Sequence, residues 1–267
     1  MANHIWTDAE IAGDIVYNND NERIKEANAW HGLMADPKWR LVAPANEFLN
    51  FYSRYLENPS KQLSRRFSLA GNKVHDLGVG GGVHLFYLVA KGYEVSGSDL
   101  SSNAIHATKS ELQRMQKQAR LVECPMTSLP FANEEFDITI SRATINHGTI
   151  QEMKKAVHEV ARTTKPGGIF WVTVSSKRAS DFNGGTEIVP GQSYAPAKGP
   201  EAGLTHTFMD ASDVAAWLEP FFRVEEVTLS EQPPLVSAPN ATSHGEYFGS
   251  EYLAVGVRKE GLHFDQK

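Results

Sequence analysis

A doubly wound α/β fold follows from three features of the sequence. From residue 72 onward, short apolar runs alternate with stretches of helical periodicity, the pattern of a parallel sheet with helices on both faces. The first of these runs opens directly into glycines, Val74-His-Asp-Leu-Gly-Val-Gly-Gly-Gly-Val83. The last two runs, 223–229 and 251–259, have no helical pattern between them. A Pro/Ser/Gly-rich loop is a poor crossover, so an antiparallel strand is expected near the end of the sheet.

Taken in order, residues 1–64 read as a helical N-terminal cap or lid, and 65–267 as the main domain. Phe48, Phe51, Tyr52, Tyr55 and Leu56 recur at three- and four-residue steps and share one helix face, best read as core packing. Pro44 lies near the start of that helix and Asn58-Pro59 ends it. Residues 73–77 form a strand, 83–91 a helix closed by Gly92, and 94–99 a second strand. Residues 101–117 follow as a helix with Ser101 at its N-cap. Strands are expected at 121–123, 136–141 and 169–174. The helix at 149–163 opens with a capping box, Thr149-Ile-Gln-Glu152, and Lys165-Pro-Gly-Gly168 is expected to stop the chain before the next strand. A last helix is expected at 211–219.

Composition bounds the function. The 267 residues, 41% hydrophobic and 22% charged, are ordinary for a globular protein with one large domain or two smaller ones. Lys+Arg 26 against Asp+Glu 32 gives a net charge of −6, which argues against a nucleic-acid partner. Cys124 is the single cysteine, so no intrachain disulfide forms. Met1–Asp8 has neither a basic nor an apolar signal region, and no run approaches the ~18 apolar residues of a membrane helix. The expectation is a cytoplasmic protein with no membrane partner; oligomeric state is not legible. No zincin or nucleophile-elbow motif occurs, and the ten histidines show no ligand spacing, so no metal is expected.

The glycine segment is the informative one. A strand, a glycine turn and a helix start offer free N–H groups to a ligand lying against the backbone. A dinucleotide fingerprint needs a glycine at position 83, where the chain has Val83. It offers instead Asp76, Gly78, Gly80 and Gly82, and the Asp76 carboxylate suits a ligand carrying an ammonium group better than a pyrophosphate. Asp99 ends the next strand 21 residues after Gly78, where a carboxylate accepts ribose hydroxyls. Leu100 beside it suits a purine face.

These residues resemble the first motif of the class I S-adenosylmethionine-dependent methyltransferases. The likeness continues through Met126-Thr-Ser-Leu-Pro-Phe-Ala-Asn-Glu-Glu-Phe-Asp137, His158-Glu-Val-Ala-Arg162 with Lys-Pro-Gly-Gly168, and Gly203-Leu-Thr-His-Thr-Phe208. It is strong over 70–175, moderate over 203–259 and absent over 1–64. It implies a Rossmann-like, mostly parallel seven-stranded sheet with an antiparallel last strand, and S-adenosyl-L-methionine as cofactor, leaving S-adenosyl-L-homocysteine. It puts Asp76, Gly78 and Gly80 at the methionine moiety, Asp99 on the ribose, Leu100 against adenine, Met126 and Thr127 at the adenine edge, and Ser141 and Arg142 beside the sulfonium. Pro125 stands where many members carry an acidic residue for the adenine amino group, which leaves Glu123 or a backbone carbonyl for that contact.

Methyl transfer from a sulfonium needs alignment and exclusion of water more than a catalytic motif. The loops at 142–149, 175–210 and 230–250 leave the ligand edge of the sheet and are candidates to bind or cover an acceptor. His147 is the first candidate base, because an imidazole titrates near neutrality, with lining the pocket or capping a helix as its alternative. Tyr17 is the second candidate catalytic residue, and Trp30 and Trp39 accompany it as candidate pocket or packing residues. His206 is read as bonding the loop backbone. The turn Ser141-Arg-Ala-Thr144 lacks the Asn/Asp-Pro-Pro-aromatic form of nucleic-acid amino methyltransferases, which points to a small-molecule acceptor. The alternative is a protein of the same fold with non-methylating chemistry or a sensing role.

Overall fold

The computed structural model describes residues 20–36, 43–57, 71–197, 201–231 and 250–265. Its centre is a seven-stranded sheet in the order β3-β2-β1-β4-β5-β10-β9. The parallel part comprises β1 (Lys73–Leu77), β2 (Glu94–Asp99), β3 (Arg120–Glu123), β4 (Phe136–Ser141) and β5 (Thr164–Ser175). The last strand, β10 (Ser250–Arg258), runs antiparallel to both β5 and β9 (Phe222–Glu231). The reversal expected from the missing crossover helix is therefore present. The parallel strands end at one edge, bringing Leu77, Asp99, Glu123, Ser141 and Ser175 to a common rim.

Helices α3 (Val83–Ala90), α4 (Ser102–Arg114), α5 (Ile150–Thr163) and α6 (Ala211–Leu218) make the connections. Ser101 caps α4 by accepting from the Ala104 amide, and Thr149 with Glu152 forms a complete capping box on α5. Two apolar cores lie against the sheet. One joins α5 and α6, the latter through Trp217, to Phe170 and Val172. The other joins α3 to Val74, Ile140 and Trp171.

The aromatic stripe near residue 50 belongs to that second core. It forms α2 (Asn46–Phe51), continued as a π-helix over Tyr52–Glu57. Phe51 stacks on Trp171 with ring centroids 5.4 Å apart, and Phe48 lies edge-on to the same indole. Burying rings of this size contributes on the order of 2–3 kcal/mol each, so this helix is fastened to the sheet. A longer helix, α1 (Asp20–Ala35), runs over the N-terminus of α4: the Asn103 amide donates to the His31 carbonyl at 2.8 Å.

Two expectations are corrected. Lys165-Pro-Gly-Gly168 does not separate helix from strand, because β5 begins at Thr164 and includes it. The pairing jumps from Phe136↔Thr164 to Ile138↔Ile169, so these residues bulge out of the ladder, with Gly167 at φ 75°. Asp137 anchors the bulge by accepting from Lys165 Nζ at 2.8 Å. The stretch 175–210 is not only loop. It builds a small antiparallel sheet from β6 (Gly185–Val189), β7 (Ser193–Pro196) and β8 (His206–Thr207), packed on Phe208 and Phe182. Among the described residues no helix is long and apolar enough to cross a membrane.

Candidate functional site

The turn after β1 is built for close approach to the backbone. Gly78 (φ 77°) and Gly80 (φ 52°) occupy the left-handed region that disfavours a side chain. At Gly78 a Cβ would also collide with Thr144 of the loop after β4. At Gly80 the space a Cβ would take is open. The amides of Gly78 and Val79 donate to the Ser98 carbonyl at 2.8 and 2.9 Å, tying the turn to β2.

Two carboxylates flank this turn. Asp76, at the end of β1, is buried and its Oδ2 has no hydrogen-bond partner. Burial first, then the charge of Asp99, push its pKa up to about 7 against the pull of a backbone hydrogen bond from Leu85. Asp99 accepts from the Gly80 and Ser101 amides, both at 2.8 Å. Burial raises its pKa, and those amides oppose the rise. Two acids flanking the glycine turn form an acceptor for a cationic, hydroxylated ligand.

Further buried polar atoms without a partner lie at the end of β4 and in the loop beyond it: Ser141 Oγ, Arg142 Nε, Asn146 Oδ1 and His147 Nδ1. Buried polar groups are ordinarily satisfied, so a run of orphaned ones marks where a ligand completes the bonding. The small sheet holds this loop in place. The Thr207 amide donates to the Asn146 carbonyl at 2.8 Å, and Thr207 Oγ1 donates to the Gly148 carbonyl at 2.6 Å. The Asn146 side chain donates to Ser175 Oγ at 3.1 Å. Helix α1 covers the same region. His31 Nδ1 accepts from the Ser102 amide at 3.1 Å, and the Trp30 ring lies edge-on to His147 at 4.6 Å.

The sequence-predicted residues therefore converge: Asp76, Gly78, Gly80, Asp99, Leu100, Ser141, Arg142 and His147 share the rim where the parallel strands end, and Met126 and Thr127 form the turn after β3. Glu123 pairs in register with Asp99 on the neighbouring strand and is exposed. The titration expected of His147 differs in the fold. Burial, reinforced by neighbouring His206, pushes its pKa down to about 3, so the ring stays neutral. Tyr17 and Trp39, and the loop at 232–249, lie outside the described residues.

Sequence reasoning missed the company His147 keeps. His206 Nδ1 bonds the Leu204 carbonyl at 3.0 Å, as a loop-bonding histidine does, but Nε2 faces Glu201 Oε2 at 2.9 Å. The rings of His147 and His206 lie 4.5 Å apart. More than fifty residues separate His147 from Glu201 in the chain, so no local spacing could have announced the group.

Comparison with known proteins agrees with this geometry. Residues 75–172 match the family model described as a methyltransferase domain. An uncharacterized methyltransferase from Synechocystis sp. is 35% identical over 100 residues, covering 38% of this chain and 45% of its own. A ubiquinone biosynthesis O-methyltransferase from Azoarcus sp. is 34% identical over 113 residues, covering 40% and 46%. The chain thus spans less than half the length of these relatives. Among solved structures, a SAM-dependent methyltransferase from Methanosarcina mazei shares the fold with a TM-score of 0.61 at 17% identity, over 74% of this chain and 97% of its own. A 1,6-didemethyltoxoflavin-N1-methyltransferase from Burkholderia thailandensis, with bound 1,6-didemethyltoxoflavin and S-adenosylhomocysteine, aligns over 91% of this chain and 84% of its own, with a TM-score of 0.52 at 14% identity.

Proposed function

We propose that this chain, a class I S-adenosylmethionine-dependent methyltransferase, methylates a small-molecule acceptor held between the rim of its sheet and helix α1. The observation that carries the reading is the pair of carboxylates around the Gly78–Gly82 turn, the buried Asp76 with Oδ2 unsatisfied and the half-buried Asp99. That donor set fits the cofactor: an ammonium answers Asp76, and ribose hydroxyls answer the lone pairs Asp99 leaves unused.

When bound, S-adenosylmethionine supplies a methyl group on a sulfonium, which an acceptor lone pair takes by in-line displacement. The protein's part is to hold, orient and keep dry. Asp76 and the glycine turn hold the amino-acid end, and Asp99 the ribose. Leu100, Met126 and Thr127 bound the adenine. Ser141 and Arg142 offer polar atoms next to Asp76, since β1 and β4 are adjacent strands. His147 enters as a neutral imidazole; with its pKa at about 3 it is a weak base, and its free ring nitrogen accepts a hydrogen bond that orients an acceptor hydroxyl or amine when no ion occupies that nitrogen. Helix α1 closes the chamber through Trp30.

The small acceptor is supported by the packing of helix α1 and the small sheet against the loop after β4, and by the chain's net charge of −6. It accords with relatives and fold neighbours named for ubiquinone biosynthesis and toxoflavin methylation. The test is calorimetric titration with S-adenosylhomocysteine and with a pyridine dinucleotide, followed by transfer of labelled methyl to a panel of hydroxylated and nitrogen-containing aromatics. Binding of the homocysteine product and label on at least one small acceptor are expected. Capture of the dinucleotide instead would overturn the reading.

A further inference from the structure

We propose that His147, Glu201 and His206 form a binding site for a divalent transition cation of the zinc class. Each offers one ligand atom, and these atoms lie within 4.8 Å of one another. Two imidazoles and one carboxylate form a donor set that such an ion takes with a fourth position open.

The wiring of His206 carries the argument. Its Nδ1 faces a carbonyl at 3.0 Å, and a carbonyl only accepts, so Nδ1 holds the proton. Its Nε2 then faces an ionised carboxylate at 2.9 Å. A lone pair against a carboxylate is repulsive, and a cation ligated by both atoms relieves that repulsion. A third candidate ligand, His147, is in contact with the His206 ring. Its Nδ1 is buried without a partner, which leaves a ring nitrogen open to an ion. The Leu204 carbonyl on the far nitrogen of His206 is the outer-shell contact that fixes a metal-ligating histidine in the right tautomer.

The three ligands come from two segments, the loop after β4 and residues 201–206, that the fold has already joined. His147 belongs to the loop after β4, and Thr207, next to His206, is the residue clamping that loop through Asn146 and Gly148. The ion's role toward the acceptor rests on the function proposed above: in that chamber its open position would take an acceptor hydroxyl and lower the pKa of that group. The site itself needs only the three side chains.

The test is titration of chelator-treated full-length protein with Zn²⁺ against a chromophoric competitor, together with the visible spectrum of the Co²⁺ form. One tightly held equivalent is expected, with the absorption of a low-coordinate cobalt site. Glu201→Gln, a nearly isosteric change on a half-exposed side chain, and His206→Ala should each weaken binding by more than about tenfold. His106→Ala, on an exposed histidine of α4, should change nothing. Failure of the wild-type protein to hold one equivalent, or binding that survives Glu201→Gln and His206→Ala, overturns the site. Titrating S-adenosylhomocysteine on the same samples keeps the two proposals separable. Intact cofactor binding without metal overturns only this one, and metal without cofactor binding overturns only the other.

Discussion

Protonation of Asp76 should control cofactor affinity in a range of pH where few carboxyl groups titrate. In the unliganded protein its pKa is pushed up to about 7 by burial and by Asp99. Only the ionised form attracts an ammonium group, so apparent affinity scales with the ionised fraction. Lowering the pH from 8 to 5.5 takes that fraction from roughly nine-tenths to roughly 3%, a loss of about thirtyfold or about 2 kcal/mol. The direction is fixed: binding weakens as pH falls through 7, and below that point each binding event releases a proton. Calorimetric titration of S-adenosylhomocysteine at constant ionic strength, in two buffers of different ionisation enthalpy, measures both the affinity and the proton. Asp76→Asn should bind weakly across the range, with a flatter profile. The same shift sets the sign for stability. A carboxyl whose folded pKa is raised above its unfolded value destabilises the protein as pH rises from about 4 to about 7. Asp76→Asn should therefore melt no lower than wild type at pH 7.5 while losing ligand. A wild-type affinity that is flat from pH 5.5 to 8, or an asparagine variant that binds as well as wild type, would refute the reasoning.

Other expectations follow from named contacts. Asp99→Ala removes the acceptor of the Gly80 and Ser101 amides and of the proposed ribose hydroxyls; S-adenosylhomocysteine affinity should fall by roughly ten- to a hundredfold, and an unchanged isotherm would contradict the assignment. Gly78→Ala puts a Cβ on Thr144 at positive φ and should destabilise by more than about 2 kcal/mol in chemical denaturation, because loop and turn cannot both keep their positions. Arg162 is buried against Glu159 and also donates to the Leu129 and Phe131 carbonyls. Arg162→Ala, which leaves that buried carboxylate without its cation although the Leu129 amide still donates to it, should cost on the order of 3–5 kcal/mol, and the paired change Glu159→Gln with Arg162→Met should recover much of it in thermal melts.

What the sequence disclosed and what it hid divide along local and non-local physics. The Ser101 cap, the Thr149–Glu152 capping box and the Asp76–Gly82 turn are each written within a few residues, and each is found where its spacing puts it. The bulge at 165–168 was hidden because Pro-Gly-Gly reads as a break unless the partner strand and the Asp137–Lys165 ion pair are known. The small sheet was hidden for a related reason. Gly185–Val189 is mostly exposed and short, so it lacks the alternation by which a half-buried strand declares itself. At the site, residue types legible from a strand-turn-helix pattern came through, whereas the His147 environment did not. Its neutrality is a product of burial under Trp30 and beside His206, which no spacing encodes.

The polar atoms left unpaired at the rim of the sheet bear on how the fold works. Asp76 Oδ2, Ser141 Oγ, Arg142 Nε, Asn146 Oδ1 and His147 Nδ1 belong to the ends of β1 and β4 and the loop after β4, while further unpartnered atoms of His75, Gln151, Asp181, Ser250 and Arg258 fall outside that group. Each such group costs about 1–3 kcal/mol relative to a satisfied one. A fold tolerates that cost where rigid surroundings hold the groups apart. Here the surroundings are identifiable: the Ser98 carbonyl under the glycine turn, Thr207 on the loop carbonyls, and the Phe48–Phe51–Trp171 packing behind β5. A binding edge assembled this way changes little in shape on filling, because no partner bond needs to break first except at Asp99. Ligand binding should accordingly raise the melting temperature chiefly by satisfying groups already in position. Substitutions among the orphaned atoms should lower affinity with little loss of stability, whereas substitutions among the supporting residues should lower both.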